Sequence, residues 1–207
     1  MGGISIIGLG GMARALAERA LAGGHVVEVI GRDPAKAEKF AAELGGRAMT
    51  GTFGATPAGD IVILAVPHAG GVPVVEQYGD ALVGKVVVDI SNTFAGADDT
   101  TLVTPEGTSA GQQIAEALPA SAHVVKAFNT VFGHVLAQGG RLDVFLAGDD
   151  AAAKASVAAF VESLGLTPRD VGGLAMAHWL EGAGLLLMGL ARSGAGFNVA
   201  LGAQILD

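Results

Sequence analysis

The sequence GISIIGLGGMARALAERALAGGH, residues 3–25, joins an apolar run, a glycine-rich turn and a helical pattern in that order. The apolar run at 4–7 predicts a buried strand. Gly23 and Gly24 predict the end of the helix. The helix itself is indicated by apolar residues that recur at helical spacing: Ala13, Leu16, Ala17, Ala20 and Leu21. This order predicts the first half of a βαβ unit.

The turn between strand and helix has the spacing G-x-G-x-x-A, with Gly8, Gly10 and Ala13. A dinucleotide site needs a tight turn at the first glycine, close backbone approach at the second, and a small residue where helix meets strand. The motif alone is weak in a chain with 33 glycines, but its place between a strand and a helix strengthens it. We therefore predict pyrophosphate contacts from this turn: Gly8, Leu9, Gly10, Gly11, Met12 and Ala13.

Five further apolar runs follow, at 26–32, 61–67, 85–91, 123–129 and 142–148. They are short, β-branched and separated by helical or loop segments, which is typical of a mostly parallel sheet covered on both faces. The predicted fold is α/β, a Rossmann-type doubly wound sheet with a small C-terminal helical extension. We predict an NADP-binding domain at 1–171 and, at 172–207, a helical segment that contributes to an acceptor site and a dimer contact.

The second strand ends in Gly31 and Arg32, where an NAD site would place an acid on the ribose 2′-hydroxyl. The planar guanidinium of Arg32 suits a 2′-phosphate instead, and Lys36 could place a second cation beside it. Asp33 is expected to cap the following helix before Pro34. NADP is the implied nucleotide. A solvated surface pair of Arg32 and Lys36 remains the alternative.

Ligands of doubly wound sheets bind beyond the carboxyl ends of the strands. There the sequence offers small, amidic and hydroxylic residues as candidate walls of the nicotinamide pocket: Val66, Pro67, His68, Ser91, Asn92, Thr93, Asn129 and Thr130. Ala127 is a further predicted contact of the nucleotide. Proton donors are scarce, because Tyr78 has Leu82 rather than a lysine four residues later. His68 and, from the C-terminal helix, His178 are the tentative candidates for catalysis or substrate contact, with a structural role as the alternative for His68.

Bulk properties narrow the function further. The net charge of −8 gives no basic surface for nucleic acid or an anionic membrane. The absence of cysteine and the scattered histidines give no metal-ligand spacing, so no metal is expected. Without a cleavable leader, a cytoplasmic location is expected. The apolar stretch 174–191 contains His178 and Glu181, so we expect a buried or dimer-forming helix and no membrane span.

A cleft without an acid or base favours transfer between two flat redox rings, because hydride transfer is then a property of the rings themselves. The segments at 8–37, AVP, DISN, VVKAFNTV and WLEGAGLLLMGL resemble the F420-dependent NADP oxidoreductases, small dimeric enzymes that pass hydride between NADP and a deazaflavin. The same segments are similar to the oxidoreductase domain of six-transmembrane metalloreductases, which use NADPH and a flavin. The resemblance implies that Asn129 lies near the nicotinamide and that F420, FMN or FAD is the second substrate.

The resemblance also has departures. Gly31 stands where the family usually has a serine on the 2′-phosphate, and the last helix has His178, Gly182 and Gly184 where the family binds the deazaflavin tail. Two alternatives therefore stay open. One is an NADPH-dependent imine or carbonyl reductase, a group with a similar G-x-G-x-M-A opening. The other is a non-catalytic NADP-binding redox sensor.

Overall fold

The computed structural model describes residues 3–94 and 101–206. Residues 1–2, 95–100 and 207, which belong to the two predicted segments, lie outside the described residues. Within the described ranges the strands are β1 (Ile4–Ile7), β2 (Val27–Gly31), β3 (Ala48–Thr52), β4 (Ile61–Leu64), β5 (Val86–Asp89), β6 (His123–Lys126), β7 (Asp143–Leu146) and β8 (Thr167–Asp170). The α-helices are α1 (Gly11–Ala22), α2 (Pro34–Leu44), α3 (His68–Tyr78), α4 (Ala110–Ala117), α5 (Gly133–Ala137), α6 (Ala151–Ser163) and α7 (Ala177–Leu190).

The first six strands form one parallel sheet in the order β3-β2-β1-β4-β5-β6. The strands β7 and β8 form a separate parallel pair, which meets β6 through an antiparallel bridge between Lys126 and Ala147. The predicted α/β class is confirmed. Because the chain reverses its direction of travel across the sheet between β3 and β4, the carboxyl ends of β1 and β4 mark the switch point where ligands of such sheets bind.

Helices cover both faces of the sheet. One core lies beneath α1 and α6 and includes Ile6, Leu16 and Val157. The other lies beneath α3 and α4 and includes Ile7 and Ile114. Neighbouring residues of β1 thus enter different cores, as the alternation of side chains along a strand requires. Burial on both faces explains why the central strands read as continuous apolar runs.

Two strands were not predicted. β3 has the sequence AMTGT, lies at the edge of the large sheet, and leaves most of its side chains half-buried or exposed. β8 has the sequence TPRD, whose proline and two charged residues lack the apolar pattern that predicts a strand. Polar residues and proline are tolerated at sheet edges because one side of the strand needs no partner. The observed strands are also shorter than the apolar runs that predicted them, since the last residues of each run form the loops of the cleft.

The seventh helix packs across the carboxyl edge of the sheet. Leu180, Glu181, Gly184 and Leu187 form its buried face, and a π-helical turn, Ala191–Ala195, follows it. The stretch Leu174–Ala195 has 22 residues and a mean hydropathy of 1.4, enough by length and composition to cross a membrane. A core helix passes the same test, and 39% of its apolar window is buried inside the protein.

Candidate functional site

The turn after β1 lies at the switch point and contains two glycines with different structural roles. Gly8 has φ +128°, and a β-carbon there would lie 2.1 Å from the carbonyl oxygen of Ala65. Only glycine allows β1 and β4 to end so close together with this backbone conformation. Gly10 has open space where a side chain would project, so its backbone is accessible to a ligand.

The first turn of α1 has the features of a helix end that suits an anion. The helical ladder begins with the hydrogen bond from Arg14 N–H to Gly10 O. The amides of Gly11, Met12 and Ala13 therefore precede the ladder and have no carbonyl one turn earlier to bond. Ala13 is fully buried against the sheet, which matches the predicted need for a small residue there. Free amides together with the positive end of the helix dipole suit a phosphate group.

The end of β2 presents one cation without a protein partner. Arg32 is exposed and makes no hydrogen bond or ion pair within the described ranges. Asp33 caps α2 by accepting from Lys36 N–H at 3.2 Å, as predicted. The Lys36 ammonium lies 3.6 Å from the same carboxylate and is largely exposed. Arg32 is therefore the cation best placed to meet an added phosphate, whereas Lys36 already has a counterion.

Two asparagines form a pair beyond the ends of β5 and β6. Asn129 donates from Nδ2 to Asn92 Oδ1 at 2.9 Å and to the Leu180 carbonyl at 2.7 Å. Asn92 Nδ2 donates in return to the Asn129 carbonyl at 2.8 Å. Asn129 is 5% exposed, and its Oδ1 has no hydrogen-bond partner in the part of the chain that the structure describes. A buried acceptor of this kind destabilises the protein unless a ligand donates to it.

The residue before Asn129 has an unusual backbone. Phe128 is 1% exposed and has φ 59°, the left-handed region that bulky residues rarely adopt. Its ring packs edge-on against Phe160, with centroids 6.3 Å apart. Such a conformation costs about 1–3 kcal/mol, and residues of this kind cluster at functional sites. Here it turns the chain out of β6 so that the Asn129 side chain meets Asn92 and α7.

Beneath the asparagine pair lies a fully buried cluster of charges. The Lys126 ammonium donates to Asp89 Oδ2 at 2.7 Å, to Glu181 Oε1 at 2.7 Å and to the Ser91 carbonyl at 2.6 Å. The carboxylates have further donors: Ser91 N–H bonds Asp89 Oδ1, Thr93 Oγ1 bonds Glu181 Oε2, and Ala110 N–H bonds Glu181 Oε1. The cluster ties α7 to β5, β6 and the start of α4. Such an arrangement is stable because every charge has several partners.

The predicted histidines have different surroundings. His68 is the first residue of α3, follows the exposed Pro67 and the half-buried Val66, and has no hydrogen-bond partner among the described residues. His178 Nδ1 lies 2.8 Å from the Thr108 carbonyl. A carbonyl only accepts, so Nδ1 carries a hydrogen, and Nε2 of the neutral ring is an acceptor. His178 therefore links α7 to the start of α4.

The structure brings most of the predicted residues to one edge of the sheet, but not all of them are open to a ligand. Ala127 is fully buried, and its N–H is bonded to the Asp89 carbonyl. The Ala127 side chain is therefore not open to a ligand, and the predicted contact between Ala127 and the nucleotide stays a prediction. Sequence reasoning missed the structural roles of Phe128, Lys126, Asp89 and Glu181. The available signal was a charged residue within each of three apolar segments.

These groups fit NADP part by part. The open backbone at Gly10 and the amides of α1 suit the pyrophosphate, and Arg32 suits the 2′-phosphate. The unpartnered Asn129 Oδ1 suits a carboxamide N–H of the nicotinamide. Three parts of the nucleotide, the pyrophosphate, the 2′-phosphate and the carboxamide, thus have a group of matching chemistry at the edge of the sheet that contains the switch point.

Comparison with known proteins gives the same assignment. The family model for NADP oxidoreductase, coenzyme F420-dependent, matches residues 3–93. The rat metalloreductase STEAP3 is 30% identical over 194 residues, which are 89% of this chain and 37% of that protein. The chain thus spans little more than a third of the length of this curated relative.

Two solved structures are similar over most of their length. The hypothetical protein SMa0349 of Sinorhizobium meliloti is 33% identical with a TM-score of 0.75, over 84% of this chain and 87% of that one. A protein of Arthrobacter sp. FB24, provisionally assigned as an F420-dependent NADP reductase, is 28% identical with a TM-score of 0.84, over 96% and 97% of the two chains. The comparisons therefore relate this chain to the coenzyme F420-dependent NADP oxidoreductase family, whose model matches residues 3–93.

Proposed function

We propose that this enzyme transfers hydride between NADP(H) and a flat redox ring, either the deazaflavin F420 or a flavin such as FMN or FAD. The observation that carries the proposal is the scarcity of proton donors at the carboxyl edge of the sheet. Reduction of a carbonyl or imine needs a positioned acid, whereas transfer between two redox rings needs stacking and exclusion of water.

Lys126 illustrates this scarcity. It is the lysine at the end of β6, and its ammonium has three N–H groups. All three are occupied, by Asp89, Glu181 and the Ser91 carbonyl, and the side chain is fully buried. Tyr78 is also buried: it is the last residue of α3, and its side chain belongs to the core on that face of the sheet. Neither residue can donate a proton to a bound substrate.

The proposed roles of the chain's residues follow from their contacts. The backbone at 10–13 holds the pyrophosphate, and Arg32 holds the 2′-phosphate. Asn129 orients the nicotinamide through Oδ1, while Asn92 and the Leu180 carbonyl fix the Asn129 amide. Bound NADPH supplies the hydride, and with one proton from water the balance is NADPH + acceptor + H⁺ → NADP⁺ + reduced acceptor. The acceptor ring is proposed to lie against α7, next to His178.

The names of the relatives support this acceptor class. The Arthrobacter protein carries an F420 assignment, and the family is named for that coenzyme. The rat relative is named a metalloreductase. We propose a flat-ring acceptor for this chain because the family and the local chemistry agree on it, and we leave the choice between deazaflavin and flavin to experiment.

A second candidate rests on His68. This side chain is half-buried at the start of α3 and has no partner among the described residues, so it is available as an acid. If it protonates a nitrogen or oxygen of the substrate, the enzyme is an NADPH-dependent imine or carbonyl reductase. Replacement of His68 by Ala separates the candidates: turnover with a flat ring survives, whereas turnover with a cyclic imine is lost.

The deciding experiment follows NADPH oxidation by nicotinamide absorbance with F420, FMN, FAD and a cyclic imine offered in parallel. Turnover with F420 or a flavin, and none with the imine, is the expected result. Turnover with the imine alone would replace the proposal by the second candidate. NADPH binding without turnover of any acceptor would contradict both and favour a redox sensor.

We also propose a cytoplasmic location and a homodimer as the working form. The acidic net charge and the absence of cysteine support the first. The exposed apolar side chains of α7 support the second.

A further inference from the structure

The charge cluster beneath the asparagine pair is not neutral. Two carboxylates, Asp89 and Glu181, face one ammonium, Lys126, so the formal charge is −1. All three side chains are at most 1% exposed, so water does not screen them. A net charge in such surroundings acts on neighbouring sites more strongly than a surface charge does.

The cluster and the asparagine pair are contiguous. Lys126 bonds the carbonyl of Ser91, and the next residue, Asn92, bonds the Asn129 amide. Lys126 and Asn129 are separated by two residues, Ala127 and the strained Phe128. Asn129 Oδ1 is a buried acceptor that has no hydrogen-bond partner among the described residues. A ring held by Asn129 would therefore lie in the field of the cluster.

The two oxidation states of NADP differ in charge at that ring. The nicotinamide is cationic in NADP⁺ and neutral in NADPH. A negative cluster attracts the cationic ring and leaves the neutral one unaffected, so it changes the relative affinity of the two forms. The N-terminus of α4, which bonds Glu181 through Ala110, carries roughly half a positive charge and offsets part of the cluster's field.

We propose that the Lys126–Asp89–Glu181 cluster biases the nucleotide site toward NADP⁺, with Glu181 as the residue that supplies the unbalanced charge. Tighter binding of the oxidised form lowers the reduction potential of the bound couple, so the cluster favours reduction of the acceptor by NADPH over the reverse reaction. A tenfold change in the ratio of the two affinities corresponds to about 30 mV for a two-electron couple. Glu181 is thus a positioning and charge-setting residue that need not touch the substrate.

The substitution Glu181→Gln tests this directly. Glutamine has the same shape, and its Oε1 can accept from Lys126 and Ala110 while its Nε2 donates to Thr93 Oγ1. The change therefore removes one unit of charge and keeps the hydrogen bonds. The ratio of dissociation constants, Kd(NADP⁺)/Kd(NADPH), is measured by titration without any acceptor. We expect it to rise roughly three- to thirtyfold, as for one unit charge acting across a partly buried site.

A matched control is Glu116→Gln, which removes the same charge from an exposed position of α4. Its ratio should stay at the wild-type value. Asp89→Asn provides a second variant of the cluster, and it should move the ratio in the same direction as Glu181→Gln. If cluster variants weaken both nucleotides equally, the cluster has a purely structural role and the inference is wrong. An unchanged ratio overturns it as well.

This inference rests on the proposed placement of the nicotinamide at Asn129 and is independent of the acceptor. Asn129→Ala should weaken both nucleotides. If Asn129→Ala has no effect on either, the placement fails and the inference fails with it. If the ratio moves as expected but no flat ring is turned over, the inference stands and the proposed acceptor class is wrong.

Discussion

Leu9 fills the space beside Gly31. A β-carbon at position 31 would lie 2.6 Å from Leu9 Cδ1 and 3.1 Å from Leu9 Cγ. The turn after β1 and the end of β2 are therefore coupled through one side chain that packs on a glycine. The turn is the proposed pyrophosphate contact and the end of β2 carries Arg32, so this contact joins two parts of the proposed nucleotide site.

Replacement of Gly31 by Ser should displace Leu9 and weaken NADPH binding by about three- to tenfold. The double variant Leu9→Ala/Gly31→Ser removes the clash, so it should bind NADPH more tightly than Gly31→Ser alone. The single variant Leu9→Ala completes the double-mutant cycle. Tighter binding in Gly31→Ser itself, independent of the residue at position 9, would show that the added hydroxyl outweighs the displaced leucine.

Arg32→Ala should weaken NADPH binding roughly 10- to 100-fold and leave NADH binding nearly unchanged, because only NADPH has the 2′-phosphate. Lys36→Ala is the matched control. Lys36→Ala should weaken NADPH binding about threefold or less, since the exposed Lys36 ammonium already lies near Asp33. Titration of both nucleotides gives the comparison. Equal losses of NADPH and NADH in Arg32→Ala would remove the 2′-phosphate assignment.

Substitutions at the two glycines of the turn should have different effects: Gly8→Ala should lower stability, and Gly10→Ala should weaken NADPH binding. Gly8→Ala forces a side chain against the Ala65 carbonyl at φ +128°, and we expect a loss of about 3 kcal/mol or more in the free energy of unfolding. Gly10→Ala meets no protein atom, so its cost should stay below about 1 kcal/mol. Its methyl group enters the space for the pyrophosphate and should weaken NADPH at least about tenfold.

Urea denaturation and NADPH titration of both variants provide the test. Normal NADPH affinity in Gly10→Ala would show that the pyrophosphate does not approach this turn. Normal stability in Gly8→Ala would mean that β1 and β4 can separate at the switch point without cost.

The first βαβ unit could be predicted from the sequence because its signals are local. Strand β1 is a continuous apolar run, and the apolar residues of α1 have helical spacing. Asp33 caps α2 by accepting a hydrogen bond from the N–H of Lys36, three residues later. Signals of this type depend on neighbouring residues only. The strand β3 could not be predicted, because an edge strand needs no apolar pattern.

The buried interior of the site was harder to predict from the sequence, because its contacts are long-range. Lys126 and Glu181 are 55 residues apart, and their pairing depends on how α7 crosses the sheet. Asp89 and Lys126 meet because β5 and β6 pair in register at their last residues. Register and helix placement are long-range properties. A lysine, an aspartate and a glutamate within three apolar segments were the available signal, and that signal does not say which of the three charges meet.

The buried ammonium should be essential for stability. Lys126→Met leaves Asp89 and Glu181 buried without their counterion, so the free energy of unfolding should fall by about 3–5 kcal/mol. The double variant Lys126→Met/Glu181→Gln has one fewer uncompensated charge and should recover part of this loss. Lys85→Met is a suitable control, because the Lys85 ammonium lies 3.9 Å from the exposed Asp60 and its removal should cost less than about 1 kcal/mol. A loss no larger than the control's would mean that the cluster rearranges.

The exposed side of α7 carries an apolar stripe that points away from its buried face. Trp179, Leu186 and Leu190 are 66%, 67% and 48% exposed, and their spacing of seven and four residues places them on one side of the helix. A stripe of this kind on a soluble surface marks a partner contact. The chain's net charge of −8 disfavours an anionic membrane, so we propose a second copy of the chain as the partner.

Leu186→Glu should therefore convert a dimer into a monomer, because a carboxylate at the centre of an apolar contact loses its hydration without gaining a partner. Light scattering after size exclusion should give twice the chain mass of 20.5 kDa for the wild type and 20.5 kDa for the variant. Val83→Glu, at an exposed valine away from α7, should remain dimeric. A Leu186→Glu dimer would place the contact elsewhere on the surface. A monomeric wild type that sediments with lipid vesicles would make a membrane the partner of this stripe.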